Sequence, residues 1–218
     1  NADNDLQDLL LGNLAQKKEI KMGVSGGQKG LSYYTSLNYL DDKSIILNSW
    51  AKRIQSRVNV IYQLSPKLKY SNNMSFSWQK GNQTPIGNTI KVVIDRPAYS
   101  LIYYPDGSLT SYIASKRNPI ANALFERDED ETYSAQLNNQ LDYQIINDLK
   151  FTTLFNAKLD NFQNMYFSPR ILSANKDKNA GRNEMAKTFF WEYQACLNYN
   201  KTVKVDHNFT ALLGFSAD

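Results

Sequence analysis

The sequence predicts an all-β fold: an antiparallel transmembrane β-barrel wall of about eight meandering strands, with short turns at one end and long loops at the other. Three observations predict it. Apolar and polar residues alternate with a period of two in eight separate segments. The connections between those segments alternate short and long, a sorting that a membrane barrel requires and a soluble meander does not. The patterned segments run to roughly 9–12 residues, the length a tilted strand needs to cross a bilayer, whereas globular strands are nearer five or six.

The opening is the one exception to the period of two. Leu6, Leu9, Leu10 and Leu14 recur at helical spacing over residues 5–15, and Asn4 or Asp5 can cap the start. From Glu19 the alternation sets in, with Ile20, Met22 and Val24 on the apolar face. Leu31, Tyr33, Leu37 and Tyr39 form the second apolar face, and Ile54, Val58, Val60 and Tyr62 the third. The fourth segment is the cleanest: Leu68, Tyr70, Met74, Phe76 and Trp78 alternate with Lys69, Ser71, Asn73, Ser75 and Gln79. The fifth carries Tyr133, Ala135, Leu137, Leu141 and Tyr143, and the sixth Leu149, Phe151, Phe155, Ala157 and Leu159. Phe189, Trp191, Tyr193, Ala195, Leu197 and Tyr199 make the seventh. Val205, Phe209, Ala211, Leu213 and Phe215 make the eighth.

Tight turns are expected at Gly26-Gly27-Gln28-Lys29, Ser65-Pro66-Lys67, Asn147-Asp148 and Thr202-Val203-Lys204, and long loops near 40–52, 79–131 and 160–187. Tyr33, Tyr62, Tyr70, Tyr143 and Tyr199 fall near the turn ends, and Tyr39, Trp78, Tyr133 and Trp191 near the loop ends. Two aromatic belts are what amphipathic rings form at the two membrane interfaces. No stretch approaches the ~20 apolar residues of a spanning helix, so a membrane-crossing chain of this composition must close its backbone hydrogen bonds between strands. A lipocalin-like barrel or sandwich would show the same alternation with its apolar face turned inward.

The net charge of +4 is scattered, with no basic stripe of stacking aromatics, which argues against nucleic acid as a partner. Cys196 is the single cysteine and His207 the single histidine, so neither a disulfide nor a zinc site can be built from them. No nucleophile, base and acid converge, and no catalytic residues, metal ligands or cofactors are assigned. His207 reads as an interfacial residue and Cys196 as a small lumen-facing filler. Asp128-Glu129-Asp130-Glu131 lacks the ordered spacing of a calcium loop and reads as a solvated acidic run.

The order of several short motifs resembles the SusC/RagA type of TonB-dependent outer-membrane transporter. They are Val24-Ser25-Gly26-Gly27 with Tyr33-Tyr34, Arg57-Val58-Asn59, Ser75-Phe76-Ser77, Asn118-Pro119-Ile120-Ala121, Trp191-Glu192 with Leu197-Asn198-Tyr199, and Ala211-Leu212-Leu213-Gly214-Phe215-Ser216. Asp5-Leu6-Gln7-Asp8 resembles that family's segment leading from plug to barrel. The resemblance implies a fragment of a 22-stranded barrel in the outer membrane of a Bacteroidetes cell, importing glycan fragments or peptides. It implies a SusD-like surface lipoprotein as partner, TonB acting through an upstream region, and the lipid bilayer as surroundings. Residues 1–18 would be the plug-to-barrel connection and 19–218 the first eight strands. The sheet is then expected to be open, with 19–25 and 205–215 unpaired within the chain.

The loop at 79–131 is the expected working part, because connections this long are functional or disordered. It carries Tyr99, Tyr103, Tyr104 and Tyr112, a turn at Pro105-Asp106-Gly107, and apolar Val92, Val93, Ile94 and Ile102. Those tyrosines are the candidates for contact with substrate or partner, with packing of the loop on itself as the plainer alternative. A complete eight-stranded barrel of structural or adhesive role, and a soluble β-domain binding a small ligand, are the rival readings.

Overall fold

The computed structural model describes residues 3–84, 86–113, 116–173, 178–203 and 207–218, and for 86–89 and 113 the backbone alone. Its elements are α1 (Leu6–Leu11), β1 (Gln16–Gln28), β2 (Leu31–Lys43), β3 (Trp50–Ser65), β4 (Leu68–Asn82), α2 (Ile86–Ile94), β5 (Tyr112–Ile113), β6 (Lys116–Arg117), α3 (Pro119–Phe125), β7 (Arg127–Ile146), β8 (Leu149–Ser168), a 3₁₀ turn (Arg170–Leu172), β9 (Ala180–Val203) and β10 (His207–Ala217). Eight strands form one antiparallel meander in the order β1-β2-β3-β4-β7-β8-β9-β10, and β5 and β6 make a separate ribbon. The sheet is open. Its edges are β1 and β10, as expected of 19–25 and 205–215. Val205 and the turn residue Lys204 lie outside the described residues.

Register turns the period of two into continuous rows. Leu68, Tyr143, Phe151, Leu197 and Leu213 stand side by side across five strands. Three rows further along the same face, Val58, Met74, Leu137, Ala157 and Trp191 are aligned. Ile20, Tyr39, Ile54, Trp78 and Tyr133 share the upper row. From Leu68 to Trp78 the strand advances about 34 Å. A tilt of roughly 45° brings that to about 24 Å, close to the apolar band of a bilayer-spanning barrel. The large side chains of this band stay uncovered by the chain, Met74, Phe76 and Phe189 among them. Tyr39, Trp78 and Tyr133 form the upper belt as expected, but Trp191 is level with Met74 and sits in the middle of the band.

The opposite face is polar. Asn59 and Asn73 bond side chain to side chain at 2.5 Å, Asn156 donates to Glu192 at 3.0 Å, and Thr152 donates to Asp142 at 2.8 Å. Amides and hydroxyls satisfy one another along this wetted wall and also partner its carboxylates, Asp142 and Glu192.

The tight end is built by repeated devices. Gly30 has φ +79°, which the β1–β2 turn requires and a side chain resists. The β3–β4 and β7–β8 hairpins each carry a register shift beside their turn, and in each a glutamine amide reaches the displaced carbonyl: Gln63 to Ser65 and Gln144 to Ile146, both at 2.7 Å.

The other end departs from the expected loop boundaries. Where 40–52 was expected to be a loop, Asp41, Asp42 and Lys43 pair with Lys52, Ala51 and Trp50, leaving only 44–49. The 79–131 connection is in fact 83–126, since Glu129, Asp130 and Glu131 pair with Asn82, Gly81 and Lys80. The 160–187 segment is mostly strand, with pairing from Asp160↔Thr188 to Ser168↔Ala180. Above the membrane a strand can be polar on both faces, so these residues lose the alternation while keeping the ladder.

The helix is also shorter than the pattern over 5–15. Asp5 caps it, accepting from the backbone N–H of Gln7 and Asp8, and Gly12 closes it. α1 lies on the side of the long connections, where the backbone N–H of Leu47 donates to the carbonyl of Leu10 at 2.9 Å. No described helix is long and apolar enough to cross a membrane.

Candidate functional site

The loop end of the sheet carries a compact layer made from α1, residues 44–49 and residues 83–126. Its core is Leu6, Leu10, Val93, Ile102, Ile120 and Ala123, with Leu47 and Leu109 packed against it. Apolar burial of this kind supplies the free energy that ordering a long connection requires. Polar groups weld it to the wall. Asn82 donates to the carbonyl of Asn48 at 2.6 Å and accepts from the N–H of Asp128 at 3.0 Å. The Thr84 hydroxyl donates to the carbonyl of Leu47 at 2.9 Å, and Asn48 donates to the carbonyl of Ala123 at 3.1 Å.

Asn118 is the centre of the long loop. Its Oδ1 caps α3 through the N–H of Ile120 at 3.0 Å, and its Nδ2 donates to the Ile102 carbonyl at 3.0 Å and to Thr110 Oγ1 at 3.1 Å. Pro119 follows at the first helical turn, where its missing N–H costs nothing. One buried amide thus ties three parts of the loop together. The Asn118-Pro119 motif pointed to this place but gave no sign of its partners.

The four candidate tyrosines are not the core of this layer. Tyr99 is 76% exposed, whereas its neighbour Ile102 is fully buried. Tyr103 and Tyr104 are exposed on a small hairpin closed by Pro105-Asp106-Gly107. Gly107 takes φ +82°, Asp106 accepts from the Ser108 N–H at 2.9 Å, and Tyr103 bridges to Leu109. The Ser108 hydroxyl holds the Asp106 carboxyl below its usual range. Tyr112 is half-buried and engages Arg117, whose guanidinium that bond holds above its usual value. Three rings are therefore exposed, and the fourth is spent on the loop's own base.

That base is a latch. Buried Glu126 accepts a short hydrogen bond from the Tyr166 hydroxyl and stands 3.6 Å from Arg117. Next to it, strand alternation splits the acidic run in two. Asp128 and Asp130 face the polar side, both accepting from Asn164 at 2.7 and 2.8 Å. Glu129 and Glu131 face the apolar side, where Lys80 lies 3.5 and 3.8 Å away and Trp78 and Tyr133 each donate to Glu131 at 2.7 Å. The run is thus partnered on both faces rather than solvated, and among the described residues no three His, Cys, Asp or Glu side chains could hold a metal.

Beneath the layer, a cavity of ≈ 600 Å³ opens between residues 44–50 and the upper wall at Asp42, Gln79, Gly81 and Asp130. Its lining mixes carboxylates, amides and hydroxyls with Trp50, Ile45 and Ile46, a surface able to take a polar solute of moderate size. No reacting group converges on it. No local pattern marks this cavity, because it is made by the loop 44–49 folding over strands that precede and follow it.

No family model matches the chain. Among curated relatives, it is 24% identical over 213 residues to TonB-dependent receptor P39 of Formosa agariphila, covering 97% of this chain and 20% of the relative. To TonB-dependent receptor P26 of the same organism it is 29% identical over 224 residues, covering 98% and 22%. The chain thus spans about a fifth of the length of the curated relatives it matches. Among solved structures, the RagAB peptide importer in its closed-closed state superposes with a TM-score of 0.80 at 20% identity, over 98% of this chain and 25% of that one. The fold is accordingly that of a section of such a barrel wall, and the likeness to SusC/RagA-type transporters read from the motifs stands in both comparisons.

Proposed function

We propose that this chain is part of the wall and outer loop layer of a TonB-dependent transporter of the bacterial outer membrane, importing glycan fragments or peptides with a SusD-like lipoprotein. The observation that supports it best is the division of the molecule. A two-faced strand wall offers an apolar band to lipid and a face of amides, hydroxyls and paired charges to a lumen, while an ordered loop layer stands over one end of that lumen. A wall of this kind does no chemistry. It guides a solute by exchanging hydrogen bonds along a wet surface, while the work of opening is done elsewhere, by TonB acting on an upstream plug.

Residues 1–18 are proposed as the connection to that upstream part. Because α1 stands with the long loops, the incoming chain reaches β1 at the outer rim.

Tyr99, Tyr103 and Tyr104 are the proposed contacts to lipoprotein or substrate, since exposed aromatic rings in a rigid loop lose little entropy on binding. Deleting residues 98–112 from the full-length transporter tests this. Import into cells or co-purification of the lipoprotein is expected to fail while insertion of the barrel, read by heat-modifiable gel migration, stays normal. Normal import and normal co-purification would overturn the role of the loop.

A further inference from the structure

The outer end of the apolar face carries a second cavity, of ≈ 400 Å³, that the transport reading leaves unused. It is lined by Asn13, Leu14, Asp41, Lys43, Trp50 and Lys52 with residues of the 44–49 loop. Strand alternation fixes which side it opens on. Tyr39 and Ile54 belong to the upper row of the lipid band, and Asp41, Lys43, Lys52 and Trp50 continue the same phase of the same strands. The cavity therefore sits on the lipid side of the wall, one step above the belt, at headgroup height.

Its chemistry is specific. Lys43 and Lys52 bring two cations, Lys52 lies 5.8 Å from the centre of the Trp50 ring, and Lys18 stands opposite Asp41 on β1. Asp41 is the one carboxylate among the described residues of the lining. Leu14, in the lining, is 79% exposed. A phosphate alone would meet two lysines and be repelled by Asp41. A sugar alone would use Asp41 and the Trp50 face and leave the lysines idle. A phosphorylated sugar on acyl chains uses all of them: phosphate oxygens accept from Lys43 and Lys52, a hydroxyl donates to Asp41, and the chains run past Leu14 onto the band.

We propose that this cavity binds the phosphorylated sugar headgroup of a glycolipid in the outer leaflet, fixing the height of the rim beneath the loop layer. The proposal rests on the outer-membrane reading given above. Full-length transporter in mild detergent would be titrated with lipid A and read by native mass spectrometry. Dephosphorylated lipid A, phosphatidylethanolamine and inorganic phosphate are the comparison ligands. Lipid A is expected to be retained, the K43Q/K52Q double variant to bind it about 30-fold more weakly at about 1 kcal/mol for each lysine, and K29Q, in the turn at the far end, to bind as wild type. The comparison ligands are expected to bind far less well than lipid A.

Equal affinity of K43Q/K52Q and wild type overturns the site, as does equal retention of phosphatidylethanolamine or equal binding of free phosphate. The same proteins are also inserted into phosphatidylcholine vesicles. Failure of all of them to insert overturns the barrel reading and the site with it, whereas normal insertion with unchanged lipid A binding overturns the site alone.

Discussion

The strand wall and the loop layer are made of one chain but obey opposite rules of burial. Among the described residues, every buried apolar side chain lies outside the eight-stranded sheet, in α1, residues 83–126 or the 3₁₀ turn. The wall buries none, although Phe76, Leu137, Leu213 and Phe215 are as apolar as anything in the loop core. The layer stands in water and must make a core of its own. The wall has lipid as solvent for one face, so its stability rests on the hydrogen-bonded ladder and on rows that match the bilayer. Exposure is a liability in one region and the design of the other.

That contrast can be broken by substitution. The largest effect is expected from Ile102→Ala in the full-length protein. Ile102 is fully buried, and truncation should cost about 2–5 kcal/mol of loop-layer stability. Hydrogen exchange should rise across 83–126 while the strand amides stay protected. Protection lost throughout the sheet would mean that the two regions fold as one unit.

Slightly smaller is the penalty of a charge on the lipid face. Phe76→Arg should cost roughly 2–4 kcal/mol in a vesicle folding titration. Its neighbour Ser75 faces the polar side with Arg57 and Gln136 alongside, and Ser75→Arg should be far milder. Equal penalties would refute the assignment of faces.

The smallest effect sharpens the comparison at the tip of the loop. The hydrogen bond from the Ser108 hydroxyl holds the folded Asp106 carboxyl below its usual value. A depressed folded pKa contributes stability above the ordinary aspartate range, and that contribution is lost as pH falls through the depressed value. In an NMR titration, Ser108→Ala should let the Asp106 midpoint rise towards its ordinary value. An unchanged midpoint would mean that the hydroxyl does not engage the carboxylate. The apolar band should show no change over the same pH range.

What could be read from residues alone follows from the range of the forces involved. A period of two over ten residues is a local property, so the eight strands, their faces, the upper belt at Tyr39, Trp78 and Tyr133 and the open sheet were legible. So was the Pro105-Asp106-Gly107 turn, because left-handed backbone at Gly107 is a local demand. The loop boundaries were not. Above the bilayer neither face must be apolar, and the strands through Asp41–Lys43, Asp128–Glu131 and Asn161–Ser168 kept their ladder after the alternation had faded.

The site depended on tertiary structure still more. Tyr99 and Ile102 are both large and apolar within four residues, yet one is exposed and the other fully buried. Their difference is decided by α1 and α3, which arrive from 90 residues before and 20 after. Sequence determined the wall because each strand meets its solvent directly, row by row. Only the tertiary structure decided the loop layer and both cavities, because each of those is made by segments whose proximity no local pattern records.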